Sequence, residues 1–104
     1  MTATARKSIE ERIKDCRQLL NPAKIILCLE ELLVATDEGM VAYALGSEYE
    51  KTGDIRTAIK YYEKAESLFT LDNYKNMARA AVNNLQIEVI LTERKRAKIK
   101  SSDK

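Results

Sequence analysis

Residues 39–72 constrain the fold more than any other stretch, because two apolar stripes with helical spacing flank a short turn. In each stripe the apolar residues recur at i, i+3, i+4 and i+7, which places them on one face of a helix. The first stripe consists of Ala42, Leu45, Gly46 and Tyr49, and the second of Ile55, Ala58, Ile59, Tyr62, Ala65 and Phe69. Two amphipathic helices that face each other are therefore predicted.

The turn between the stripes carries signals of its own. Gly53 can adopt the left-handed backbone conformation that ends a helix, and Asp54 can accept hydrogen bonds from the free N–H groups that begin the next one. The small residues Gly46, Ala58 and Ala65 lack the bulk that would hold the two helices apart. Residues 39–72 are thus predicted to form a tightly packed helical hairpin.

The spacing of these residues resembles the tetratricopeptide repeat (TPR), a helix-turn-helix unit of 34 residues. The TPR pattern W-x2-L-G-x2-Y, A-x3-F, P is similar to Ala42, Leu45, Gly46, Tyr49, then Ala58, Tyr62, then Thr70. Alanine replaces the large aromatic residue, tyrosine replaces phenylalanine, and threonine replaces proline. The resemblance implies an all-α fold, in which antiparallel helical hairpins stack as a short right-handed α-solenoid of about five helices. The alternative is a helical hairpin that has the same small residues by chance.

The rest of the chain is predicted to complete a single TPR-like domain over residues 1–104. Residues 6–36 are expected to form a divergent helical hairpin, with helices at 6–20 and 22–35 and with Asn21 as the N-cap of the second. That second helix is apolar over more than one face, so we expect it to lie between neighbours. Its apolar residues are Ala23, Ile26, Leu27, Leu29, Leu33 and Val34.

Residues 73–92 are predicted to form a capping helix with Asp72 as its N-cap, followed by a basic, partly disordered tail at 93–104. Within the helix, residues 85–91 also alternate in hydropathy as a strand would, but a single strand would find no partner among helices. Ile87, Ile90 and Leu91 form more apolar surface than a capping helix needs. This surface either supports self-association or packs under the first helices.

Charge is unevenly distributed in a chain whose net charge is only +2. Residues 18–92 have seven basic and eleven acidic groups, whereas residues 93–104 have six basic and two acidic groups. The N-terminus is charged where a secretory signal would be apolar, and no long apolar segment occurs. We therefore expect a cytoplasmic protein with no membrane partner. In that reducing compartment Cys16 and Cys28 are expected to be buried thiols, with a disulfide or a reactive thiol as the alternative.

The composition argues against catalysis and against bound metals. Without histidine there is no imidazole for general-base chemistry or metal ligation, and two cysteines twelve residues apart lack the partners of a zinc site. No glycine-rich phosphate loop is present. We therefore predict that the protein is not an enzyme and holds no cofactor.

The TPR resemblance implies a groove for a protein or peptide partner, lined by the first helix of each hairpin. The corresponding positions here are Met40, Tyr43, Ser47, Glu50, Lys51, Tyr74 and Met77. A surface that is mainly apolar and aromatic suits a peptide or helix of the partner. We therefore expect a protein–protein interaction adaptor, with self-association (a homo-oligomer) as a further property. The alternative is that the N-terminal helices fill this surface.

The basic tail supports a second hypothesis, an accessory protein associated with nucleic acid. Phosphate contacts would come from Arg94, Lys95, Arg96, Lys98 and Lys100, because clustered cations release counterions when they bind phosphate. No aromatic residues interleave with them for base stacking. The alternative is that the positive charge only solvates the C-terminal end of a helix, where the dipole favours it.

Overall fold

The computed structural model describes residues 7–102, which form five α-helices and no strand. The helices are α1 (Ile9–Arg17), α2 (Pro22–Thr36), α3 (Gly39–Thr52), α4 (Ile55–Leu68) and α5 (Asp72–Ser102). Consecutive helices pack against each other, and α1 also contacts α3. The predicted all-α class with about five helices is therefore confirmed. The arrangement is elongated and thin, with extents of 72 × 33 × 16 Å.

The N-terminal ends of α1 and α2 are set by local capping. At α1 the Ser8 hydroxyl accepts from the Glu11 N–H at 3.1 Å, while the Glu11 carboxylate accepts from the Ser8 N–H at 2.9 Å. This capping box starts the helix later than the predicted residue 6. At α2 the Asn21 side chain accepts from the Ala23 N–H at 2.8 Å, and Pro22 occupies the first turn as predicted.

The turn between α3 and α4 also agrees with the prediction. Gly53 has a φ of 88° and ends α3, and the Asp54 carboxylate accepts from the Thr57 N–H at 3.3 Å. The predicted cap of α5 is wrong by one residue, because Asp72 is already helical and the Leu71 carbonyl accepts the first helical hydrogen bonds. Helix ends commonly shift by one or two residues, so the sequence pattern alone does not determine the terminal residue.

The facing stripes of α3 and α4 are buried against each other, as their spacing predicts. Leu45, Ala58 and Ala65 are fully buried, and Tyr62 is nearly so. A Cβ atom built at Gly46 would lie 2.7 Å from Cδ1 of the Tyr62 ring. The helices approach each other this closely because position 46 has no side chain.

Helix α2 packs against α1 and against α3, so the expectation that it lies between neighbours is confirmed. Leu29, Leu32 and Leu33 are buried, but Leu27 and Val34 are 55% and 88% exposed. Helix α1 is only nine residues long and covers little of α2. A cleft of about 580 Å³ between α2 and α4 also lies beside Val34.

Cys16 and Cys28 form a disulfide, so the prediction of two buried thiols is wrong. The turn at residues 18–21 folds α1 back beside α2 and brings the two Cα atoms to 5.6 Å, a separation that a disulfide spans. The bond ties α1 covalently to α2.

Helix α5 continues without interruption through residues 85–91, which confirms the helical alternative for that segment. It also includes residues 93–102 of the predicted tail, while residues 1–6 and 103–104 lie outside the described part. Ile87, Ile90 and Leu91 are each about half exposed, so the alternative that they pack under the first helices is wrong. None of the helices in residues 7–102 combines the length and the apolarity needed to cross a membrane.

Candidate partner-binding groove

A groove of about 380 Å³ lies between α3 and α5. Two buried side chains, Tyr62 of α4 and Leu85 of α5, form its floor. The complete lining consists of Tyr43, Glu50, Tyr62, Met77, Ala80, Ala81, Asn84, Leu85 and Glu88. Small alanines on α5 leave the groove open, and its only charges are carboxylates. The surface can therefore hold an apolar group and, beside it, a cation.

Three of the seven residues predicted for the groove line it, namely Tyr43, Glu50 and Met77. No residue of α1 or α2 lines it, so the N-terminal helices do not fill this part of the predicted surface. The structure brings residues of α3 and α5 together because both helices pack on α4.

The other four predicted residues do not line the groove. Met40 is half-buried against the core, and the Tyr74 ring stacks on Phe69 with 5.2 Å between centroids. Ser47 is half-buried. Lys51 is exposed, and its ammonium donates to the Glu48 carboxylate at 3.3 Å. These residues lie outside the lining because the residues of one helix face more than one direction.

Tyr62 organises the floor of the groove. Its hydroxyl donates to the Glu50 carboxylate at 2.9 Å, and its ring packs at a tilt against Tyr43 with 4.9 Å between centroids. Burial, followed by the hydrogen bond to Glu50, raises the pKa of the Tyr62 hydroxyl, so it remains a neutral donor. Glu50 keeps acceptor capacity for a further donor, because an ionised carboxylate has two oxygens.

A second polar cluster joins α2, α3 and α4 outside the groove. The hydroxyls of Tyr49 and Tyr61 both donate to the Glu30 carboxylate, at 2.8 and 3.4 Å, and their rings stack with 5.4 Å between centroids. No local sequence pattern singles out Glu30, because its partners are 19 and 31 residues away. The cluster stabilises the relative positions of three helices.

This cluster predicts a stability change at alkaline pH. Burial, followed by the hydrogen bond to Glu30, raises the pKa of the Tyr49 hydroxyl from 10.0 to about 12. Since the folded pKa is the higher one, the stability is complete below about pH 10 and is lost as the pH rises towards about 12. We expect the free energy of unfolding, measured by urea titration, to fall across this range in the wild type and less steeply in Tyr49→Phe. Tyr74→Phe, outside the cluster, is the control, and an equal fall in Tyr49→Phe and wild type would contradict the assignment.

An ion pair between the exposed Arg17 and the buried Glu48 links α1 to α3, and no sequence pattern indicates it. Glu48 is 6% exposed, and its carboxylate accepts from the Arg17 guanidinium at 3.0 Å and from Lys51. The buried charge is therefore paired and hydrogen-bonded, as a stable fold requires. No residue of this pair faces the groove.

The basic residues near the end of α5 are not gathered into one site. Arg94, Lys95 and Arg96 are exposed, but consecutive residues point about 100° apart around a helix. Glu93 lies 4.0 Å from the Arg56 guanidinium of α4. The side chains of Lys98 and Lys100 lie outside the part of the chain whose side chains the structure describes. The described basic residues therefore do not form a single phosphate-binding face.

Together, the fold and the groove define an all-α helical protein with an open apolar and acidic cleft between its third and fifth helices. Comparisons with protein-family models, with curated proteins and with solved structures found no match. Among residues 7–102 there is no group of three or more side chains placed to hold a metal ion.

Proposed function

We propose that this protein is a non-catalytic interaction adaptor that binds a peptide or helix of a partner protein between α3 and α5. The observation that supports it is the groove itself, in which Tyr43 and Met77 form half-buried apolar walls above a floor of buried side chains. The TPR resemblance of residues 39–72 supports the same proposal, because that family uses the first helix of each hairpin to bind partners.

The chemistry of the groove specifies the kind of partner. Glu50 and Glu88 line it, and neither lysine nor arginine is among its lining residues. Asn84 adds an amide that can donate and accept. An amphipathic segment with an apolar side and a flanking lysine or arginine matches this surface, because charge complementarity favours such a partner over an acidic one.

The groove is tested by the double variant Tyr43→Glu and Met77→Glu. Two carboxylates on the apolar walls should weaken partner binding at least about tenfold, because apolar anchors in well-packed sites contribute most of the binding energy. Affinity capture from the source lysate, followed by mass spectrometry, measures the loss, and circular dichroism checks the fold. Tyr74→Glu is the matched control, since it also alters a half-buried tyrosine but leaves the groove lining intact. Capture that is undiminished with a folded double variant would refute the groove.

Nuclease treatment in the same experiment distinguishes the adaptor function from the second hypothesis, binding of nucleic acid by the basic tail. If the captured material is nucleic acid, it should be lost on nuclease treatment and on truncation after Thr92, and its affinity should fall steeply with salt. We favour the groove because Arg94, Lys95 and Arg96 diverge around α5, whereas the groove residues converge.

A cytoplasmic location belongs to the same proposal. The disulfide weighs against it, because the cytoplasm usually keeps cysteines reduced. Extracted protein in which Cys16 and Cys28 both react with an alkylating reagent would support the cytoplasm, and protein that resists alkylation would favour an oxidising compartment.

A further inference from the structure

Helix α5 extends beyond the helices that it packs against. Ala78, Val82 and Leu85 are buried in its first half, but from Gln86 to Ala97 no side chain is buried. The 31-residue helix is about 46 Å long at 1.5 Å per residue. We call residues 86–102 the extension. Among the described residues its contacts with other helices are few, such as half-buried Val89 and Glu93, which lies 4.0 Å from Arg56 of α4. A helical segment with so little tertiary packing has little stability of its own, so a packing partner would stabilise the extension.

The apolar face of the extension points away from the rest of the molecule. At about 100° per residue, Ile87, Ile90 and Leu91 lie about 140–240° around the helix axis from buried Leu85. Their exposed fractions of 49–55% agree with this direction. A surface helix normally presents a polar face to water on the side opposite the core. Here the outer face is apolar instead, so it is suited to burial.

Charges of opposite sign flank this apolar face along the helix. Glu88 lies three residues before Leu91, while Arg94 and Lys95 lie three and four residues after it. Among the described residues, no salt bridge within 4.0 Å involves any of these three side chains. The surface therefore carries both members of an ion pair, separated by its apolar centre.

We propose that two copies of this chain associate through the extension, with their α5 helices antiparallel and a two-fold axis near Leu91. In this arrangement Glu88 of each copy lies beside Arg94 and Lys95 of the other, because these positions are nearly equidistant from the axis. A parallel arrangement would instead place Arg94 against Arg94 and Lys95 against Lys95. Opposite charges across the interface favour the antiparallel pair, and like charges disfavour the parallel one.

A second copy fits this surface better than an unrelated helix because the surface is complementary to itself. A two-fold interface uses the same patch on both partners, which requires acidic and basic groups on opposite sides of the axis. The extension meets this requirement, with apolar residues at the centre. The extension and the proposed groove share Glu88, but Tyr43 and Met77 line only the groove and take no part in the association.

Charge reversal in the full-length chain tests the arrangement by sedimentation velocity over a concentration series. Glu88→Arg alone, or Arg94→Glu with Lys95→Glu, places like charges together and should raise the dimer dissociation constant about tenfold or more. The triple variant that combines these changes restores opposite charges and should return the constant close to the wild-type value. Glu63→Arg, an exposed reversal on α4, should leave it unchanged.

Several results would overturn the proposal. One is a wild type that stays monomeric at every concentration. Another is an unchanged dissociation constant in both Glu88→Arg and Arg94→Glu with Lys95→Glu, which is the result expected of a parallel pair. A third is a triple variant that remains dissociated. Dimers lost on nuclease treatment would show a nucleic acid bridge, and dimers disrupted by Val34→Glu would place the interface on α2. The groove variant Tyr43→Glu with Met77→Glu should still dimerise, so failure of the groove and failure of the dimer are distinguishable.

Discussion

Replacing Gly46 by leucine is expected to lower the free energy of unfolding by about 3 kcal/mol, the upper part of the range for overpacked cores. A Cβ atom at position 46 would lie 2.7–2.9 Å from three carbon atoms of the Tyr62 ring. The ring is 3% exposed, packs against Tyr43 and is fixed at its hydroxyl by Glu50, so it has little room to move. The larger side chain must therefore push α3 and α4 apart.

Urea unfolding monitored by circular dichroism measures this loss. Gly46→Ala should lie between the wild type and the leucine variant, because its Cβ makes the same close contact while alanine favours the helix by about 1 kcal/mol. Ala35→Leu is the matched control, since position 35 is exposed on α2 and accepts the longer side chain without a clash. Equal stability of Gly46→Leu and wild type would show that the two helices are not in close contact.

Removing the disulfide with Cys16→Ser and Cys28→Ser should also lower the free energy of unfolding by about 3 kcal/mol, the chain-entropy value for a loop of this length. The bond closes a loop between residues 12 apart in the sequence. Helix α1 depends on it strongly, because its nine residues include only two buried side chains, Ile13 and Cys16 itself. We therefore expect α1 to lose protection first.

Urea unfolding with and without a dithiol reductant measures this effect. The wild type should lose stability when the reductant is added, whereas the double serine variant should unfold at one midpoint under both conditions. Hydrogen exchange should show the loss of protection concentrated in α1, with α4 least affected. A wild type that is insensitive to reductant would mean that the two cysteines are thiols, as the sequence alone had suggested.

The parts of the fold that the sequence predicts are those encoded by nearby residues. Gly53 and Asp54 specify the turn between α3 and α4 within a few positions, and the spacing of Leu45, Ala58 and Tyr62 specifies which sides of the two helices meet. The helical state of residues 85–91 follows from the absence of any strand partner. Each of these inferences needs only a short stretch of chain.

The features that sequence reasoning missed depend on how distant helices are rotated against each other. The Glu30 carboxylate accepts hydrogen bonds from two tyrosine hydroxyls, and the buried Glu48 pairs with Arg17, only because α1 to α4 pack in one particular register. The disulfide likewise depends on how the first turn closes. Two residues predicted to line the groove, Met40 and Tyr74, instead pack against the core. Helical periodicity alone does not show which part of a helix a neighbouring helix covers.

The packing of each helix mainly on its neighbours in the sequence has a consequence for how the chain folds. Few distant segments must meet before stabilising contacts form, so the entropy lost in closing long loops is small and folding should be fast. During synthesis α1 and α2 can dock as soon as they emerge, and α3 and α4 can follow on the surface already made. The order in which the ribosome releases the helices thus matches the order in which they pack, and α5 arrives last.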